Sequence, residues 1–271
     1  MGIVARSMAK KAEVEADFPG LPVYESLGEL LTAGVDAVTI TTPPHTRHDL
    51  VMEAIEAGAL TLANVLASGE LGETWRVHST MDQDNADSLE QGASGGLLRD
   101  LGSHLVDQML WLLGPVGHVY ATLDWTDRFG EHTDCGFVVT MTHASGVVSA
   151  VSASKLNHSA TRELRAYGSK GSYAASGADV QAEALMAGRH PVEEPDIWRI
   201  DAPKNWGILS TNGHRETVPS AQGNYADFYT AFARAVRGDG PEPVPAAEGI
   251  HTLEVLDAAR QSALENSVIA L

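Results

Sequence analysis

The chain has one cysteine among 271 residues, few aromatics (6%), and only 18 lysines and arginines against 36 aspartates and glutamates. The single thiol, Cys135, excludes an intramolecular disulfide and offers no thiolate cluster for a metal. A formal net charge of −18 argues against nucleic acid and anionic membranes as partners, because like charges repel over long range. No apolar run reaches the ~18 residues a membrane span needs. The opening MGIVARSMAKKAEVEADF lacks the apolar heart of a secretory leader. The chain therefore reads as soluble and cytoplasmic. Hydrophobic residues make up 44% of it, enough for one or two domains with a sizeable core.

The first quarter alternates short apolar runs with helical patterns. GIVAR (2–6) reads as the end of a strand, MAKKAEVEADF (8–18) as a helix and PGLPVYE as a turn with a short strand. SLGELLTAG (26–34) reads as a helix with Ser26 as N-cap and Glu29 at the capping-box position. VDAVTITTPP (35–44) reads as a buried strand, HTRHDLVMEAIEAG (45–58) as a helix with Gly58 just past its end, and ALTLAN (59–64) as one more strand. Strand–helix alternation with short connections predicts a doubly wound parallel sheet.

From about residue 72 the texture changes. ETWRVHSTMD, GHVYATLDW, GFVVTMTHASGVVSAVSASK and ELRAYGSKGSYAAS follow one another as strand patterns, which predicts an antiparallel sheet open on one side. The tail returns to helix at 224–238 and 246–267, with the linker GDGPEPVP between. The expected class is thus α/β: a truncated, Rossmann-like doubly wound sheet over 1–66, then an α+β domain over 67–271 with an open, mainly antiparallel sheet.

One segment carries chemistry. In LLRDLGSHLVDQMLWLLG (97–114), Asp100, His104, Asp107 and Trp111 fall within a ~60° arc of one helix face. Leu101, Leu105, Met109, Leu112 and Leu113 occupy a broader, different face. The polar arc is either the solvated side of an amphipathic helix or a catalytic edge facing a cleft.

These halves in this order resemble the Gfo/Idh/MocA family of NAD(P)-dependent sugar and polyol oxidoreductases. The stretches that carry the resemblance are VYESLGELLTAGVDAVTITTPPHTRHDLVMEAIEAGA, LASGELGETWRVHS, GGLLRDLGSHLVDQMLWLLG and VPAAEGIHTLEVLDAARQSA. The resemblance implies hydride transfer between NADP or NAD and a sugar, polyol or related alcohol. His104 would be the acid/base for the substrate oxygen, and Asp100 would line the same pocket. Asp107, also placed on the substrate side, would support His104 from one turn further on. Lys155, Asn157 and His158 would lie where the open sheet faces the pocket. On the cofactor side, Thr42, Pro43, Pro44, His45 and His48 match positions near the ribose and nicotinamide. Arg6 and Ser7, at the end of a strand, suit the 2′-phosphate of NADP rather than the ribose hydroxyls of NAD. The family also pairs through its open sheet, which implies a homodimer or larger assembly.

Two family features are missing. No Gly-x-Gly-x-x-Gly turn occurs, although such a turn would cradle the pyrophosphate, and the chain opens as if inside the second strand. No Glu-Lys-Pro or Asp-Lys-Pro occurs either, so the family's lysine beside the nicotinamide has no counterpart in that motif. The sequence is then a shortened form of a longer protein, or a truncated product without its chemistry, or a rebuilt member in which another group such as Lys155 does the lysine's work. Two other function classes compete with the oxidoreductase. One is an inactive family remnant serving as a binding or scaffold protein. The other is a metal enzyme built on Asp100, His104 and Asp107 with His45 or His48.

Overall fold

A computed structural model describes residues 2–4, 8–35, 56–91, 95–128, 130–176, 181, 184, 187–189, 198 and 201–271. The chain starts with β1 (Ile3–Val4), α1 (Met8–Asp17) and β2 (Val23–Tyr24), and β1 pairs with β2 in parallel. That is the strand–helix–strand crossover expected of the first quarter. α2 (Leu27–Thr32) begins at Ser26, whose hydroxyl accepts the Glu29 N–H at 3.2 Å. The Glu29 carboxylate reaches back to the N–H of Glu25, one residue earlier than a standard capping box places it. The readings over 36–55 lie outside the described residues.

ALTLAN departs from the expected strand. It is not a strand but part of α3 (Glu56–Ser68), with Gly58 inside that helix rather than past its end. The hexapeptide alternates only by accident of its threonine. Extended through VLAS, the buried positions are Ala59, Thr61, Leu62 and Val65, and the apolar three of them recur every three residues, which places them on one helix face. α3 runs unbroken through residues 66 and 67, and its Leu62 and Val65 join the core of the larger sheet.

That sheet has nine strands: β3 (Thr74–Asp82), β4 (Val116–Thr126), β5 (Thr133–His143), β6 (Val148–Ser154), β7 (Thr161–Gly168), β8 (Gly171–Ser176), β9 (Gly207–Thr211), β10 (His214–Val218) and β11 (Ile269–Ala270). Their spatial order is β10-β9-β8-β7-β3-β6-β5-β4-β11. Every pair is antiparallel except β3–β6, which runs parallel with Val77 opposite Ser149. The β9–β10 hairpin went unread, although its signal was present. Asn212 and Gly213 have φ of 44° and 82°, the left-handed pair that makes Asn-Gly a two-residue hairpin turn.

One face of the sheet is covered by α4 (Leu97–Leu113) and α6 (Ala246–Glu265), which also pack on each other; α5 (Tyr225–Val236) precedes α6. Leu98, Leu101, Leu105 and Met109 of α4 meet Phe137, Val139 and Met141 of β5 and Val151 of β6 in this core. Each such side chain contributes about 1.5–3 kcal/mol on burial. The other face alternates outward with Val138, Thr140 and Thr142 on β5 and Ala150 and Ser152 on β6, and Val138 is 49% exposed.

His143 pins the end of α4 to this sheet. Its Nδ1–H donates to the Gly114 carbonyl at 2.7 Å, so Nε2 accepts from the Ser149 hydroxyl at 2.8 Å. Burial lowers its pKa below the ordinary histidine value. The unfolded chain then binds the proton more readily than the folded one as pH falls through about 6.5, and stability drops in that window. Urea unfolding at pH 7.5 and 5.5 checks this: the wild type loses stability on acidification, and His143→Gln loses less.

Candidate active site

α4, which carries the candidate residues, has its N-terminus fixed from the sheet side. Asp134 at the start of β5 is 1% exposed, and its Oδ2 accepts the Leu98 N–H at 2.7 Å. Its Oδ1 takes the Arg260 guanidinium of α6 at 2.9 Å. A carboxylate at a helix N-terminus satisfies an otherwise unpaired donor and complements the helix dipole. Gly96 makes room for it: φ is +95°, and a Cβ there would collide with the Asp134 carboxylate. On the sheet side, the buried Ser79 hydroxyl of β3 donates to Gln108 Oε1 at 3.0 Å. The helix is thus held by two buried polar ties as well as by packing.

The polar arc of α4 divides into parts. Asp100 points to the end of β6, where Lys155 Nζ lies 2.6 Å from its Oδ2. The lysine side chain is 4% exposed and the aspartate 24%. Lys155 Nζ also donates to the Ser88 carbonyl at 3.3 Å, in the short 3-10 turn Ala86–Ser88. His104, one turn after Asp100, is half-buried, with Nδ1 closed off from solvent. Asp107 turns toward α6, where it is buried and accepts the Thr252 hydroxyl at 3.1 Å. Trp111 at the far end of the arc is 57% exposed. The structure thus brings Lys155 to Asp100 and gives Asp107 a partner on α6.

Asn157 and His158 sit in the bend after Lys155, and the loop itself uses their polar atoms. Asn157 Oδ1 accepts the Ser159 N–H at 3.2 Å. His158 is exposed, with φ of 55°, and its ring nitrogen lies 3.1 Å from Asp84. Arg6, Ser7, Thr42, Pro43, Pro44, His45 and His48 lie outside the described residues. Among the described residues no group of three or more histidines, cysteines, aspartates or glutamates is placed to hold a metal ion. No described helix is long and apolar enough to cross a membrane. Burial first, then the nearby Asp124 and Asp134 carboxylates, push the Cys135 thiol up. It stays protonated and serves packing rather than nucleophilic chemistry.

Sequence reasoning missed Asp134 and Ser88. Asp134 opens a strand 36 residues from the N–H it caps, and Ser88 contributes only a backbone carbonyl 67 residues from its lysine. The Gly95–Gly96 pair ahead of α4 was the one local hint that something had to fit closely there.

Comparison with known proteins covers the whole chain. Residues 1–66 match the oxidoreductase-family NAD-binding Rossmann fold profile of Gfo/Idh/MocA proteins, and residues 64–271 match that family's C-terminal alpha/beta domain. The scyllo-inositol 2-dehydrogenase (NADP+) IolW of Bacillus subtilis is 27% identical over 321 aligned residues, covering 97% of this chain and 87% of that protein. The Escherichia coli oxidoreductase YdgJ is 27% identical over 323, covering 98% and 90%. Both alignments are longer than the 271-residue chain, so the relatives hold segments with no counterpart within it. Among solved structures, Bacillus subtilis YvaA superposes with a TM-score of 0.86 at 24% identity, covering 100% of this chain and 90% of that one. An oxidoreductase of Agrobacterium radiobacter, solved with NAD+, L-tartaric acid and magnesium, gives 0.73 at 13% identity, covering 99% and 90%.

Proposed function

We propose that this chain, which belongs to the Gfo/Idh/MocA oxidoreductase family, moves hydride between a nicotinamide cofactor and a sugar, polyol or related alcohol. The observation that carries this reading is the α4 face, where Asp100 and the half-buried His104 stand one turn apart at a helix fixed to the sheet. Oxidising an alcohol needs a base for the O–H proton while hydride leaves carbon, and imidazole titrates in the working range. His104 takes that proton, and Asp100 accepts from a substrate hydroxyl and orients it. In the reverse direction His104 returns the proton to the new alkoxide.

The first strand–helix–strand unit suits a dinucleotide. β1 and β2 run parallel with α1 crossing between them, and ligands of such folds sit at the carboxyl ends of the strands. Arg6 and Ser7, which follow β1 in the sequence, would hold the adenosine side. Thr42, Pro43, Pro44, His45 and His48 would take the ribose and nicotinamide. When bound, the nicotinamide supplies the redox chemistry and the protein supplies placement and proton transfer. The Arg6–Ser7 pair favours NADP, and the NADP+ dependence in the name of the relative IolW supports the same choice.

A second reading, a binding or scaffold member without catalysis, is favoured by the lack of a Glu-Lys-Pro motif in the sequence. Titration with NADPH and NADH, followed by a polyol screen read by nicotinamide absorbance, separates the two. Micromolar cofactor binding and turnover with a polyol support the oxidoreductase, whereas no binding at millimolar cofactor leaves the scaffold.

The outward face of the large sheet, with Val138 exposed among threonine, serine and alanine, is weakly polar, and we assign it to self-association. Sedimentation velocity at micromolar concentration should give a dimer or larger, and Val138→Lys should shift it toward monomer. A monodisperse wild-type monomer would refute the assignment.

A further inference from the structure

We infer that Lys155 is a positioning residue for Asp100, holding one carboxylate oxygen so that the other faces the substrate beside His104. The inference rests on the reading of the α4 face given above. Lys155 Nζ is 2.6 Å from Asp100 Oδ2 and also donates to the Ser88 carbonyl, with its side chain 4% exposed. A lysine serving only as surface cover lays its stem along apolar groups and sends its ammonium to water. This one keeps its charge inside, which is tolerable only with a charged and hydrogen-bonded partner. Its backbone is fixed on both sides. Lys155 N–H donates to the Cys135 carbonyl at 3.1 Å, and the preceding Ser154 carbonyl accepts the Gln83 N–H at 2.8 Å.

Three segments therefore meet at one ammonium: α4 through Asp100, the end of β6 through Lys155 itself, and the 3-10 turn before α4 through the Ser88 carbonyl. A carboxylate has two oxygens, each able to accept. With Oδ2 committed to the ammonium, Oδ1 remains, and the aspartate side chain is 24% exposed. Without the lysine, the Asp100 side chain is free to change rotamer. Small losses of alignment at a reacting group cost rate steeply. The ammonium itself is too enclosed to reach a substrate from where it lies, so its effect passes through Asp100.

The test uses the full chain with saturating NADPH and a panel of hexitols and cyclitols, with affinity read by calorimetry for the wild type, Lys155→Met, Asp100→Asn and the double variant. Lys155→Met should weaken polyol affinity roughly tenfold, and Lys155→Arg should recover most of that loss. The double variant should bind no worse than Asp100→Asn alone, because two residues acting through one group are not additive. A residue that merely braced the fold would lower the melting temperature and leave affinity per folded molecule unchanged. Lys155→Gln, which keeps a donor, answers the same question if the methionine variant does not fold. Wild-type binding with an unchanged Lys155→Met, or losses that add, overturns the role of the lysine alone. A wild type that binds no member of the panel overturns the oxidoreductase reading and this role with it.

Discussion

His104→Ala is expected to lower kcat/KM for polyol oxidation by about 10²–10⁴-fold, the usual contribution of a positioned general base. The protein should still fold and take up cofactor. The imidazole hangs from the middle of α4, and alanine is the residue a helix interior tolerates best. The helix is secured without it: Leu101, Leu105 and Met109 are buried in the sheet core, Asp134 caps the first turn, and Ser79 ties Gln108 to β3. The substitution therefore removes the proton acceptor while the helix keeps these ties. Steady-state rates from nicotinamide absorbance, with melting temperature and NADPH affinity as controls, check the prediction. Activity within a few-fold of wild type, at unchanged stability, would remove His104 from the chemistry. A loss equal in kcat and kcat/KM marks a contact made only in the transition state, as proton transfer requires. Asp100→Asn, in contrast, should raise KM, because a substrate hydroxyl donates to that carboxylate before and during reaction.

How far the site was legible depends on the distance over which each interaction acts. The α4 face could be read because helix periodicity is local: a stretch of 17 residues, Leu97–Leu113, contains its own evidence of which residues share a side. The two fates of that face were not local. Asp100 goes to a lysine 55 residues away, and Asp107 goes to a threonine 145 residues away. Nothing in the octapeptide from Asp100 to Asp107 separates those outcomes. The large sheet was legible strand by strand through alternation, but its order was not. β3 is inserted between the β5–β6 and β7–β8 hairpins, parallel to β6 and antiparallel to β7, a relation no short pattern encodes. ALTLAN failed because six residues support two periods, and only the continuation through Val65 decides between them. The Asn212–Gly213 turn failed for the opposite reason: its local signal was clear, and the flanking GILS and HRETV are weak strand formers at the sheet edge.

Asp134→Ala should be the most destabilising single change near the site, at about 3–5 kcal/mol, the range for removing one partner of a buried ion pair. Three losses coincide. The Leu98 N–H at the first turn of α4 loses its acceptor in a buried setting. Arg260 on α6 loses its counter-ion, with its side chain 25% exposed. The space that Gly96 leaves for the carboxylate becomes a small void, because its φ of +95° fixes the backbone there. Arg260→Met separates these contributions: it leaves Asp134 with the Leu98 N–H and the helix dipole, and should cost less. Urea unfolding of the three proteins at pH 7.5 gives the ordering, with wild type most stable, Arg260→Met intermediate and Asp134→Ala least. Because the cap fixes where α4 starts, and Asp100 follows two residues after Leu98, the loss should also reach the site. Below the unfolding temperature, Asp134→Ala should bind polyol more weakly than Arg260→Met. Equal stability of the two variants would mean that the carboxylate serves the arginine alone, and that packing, not the cap, sets the position of the helix.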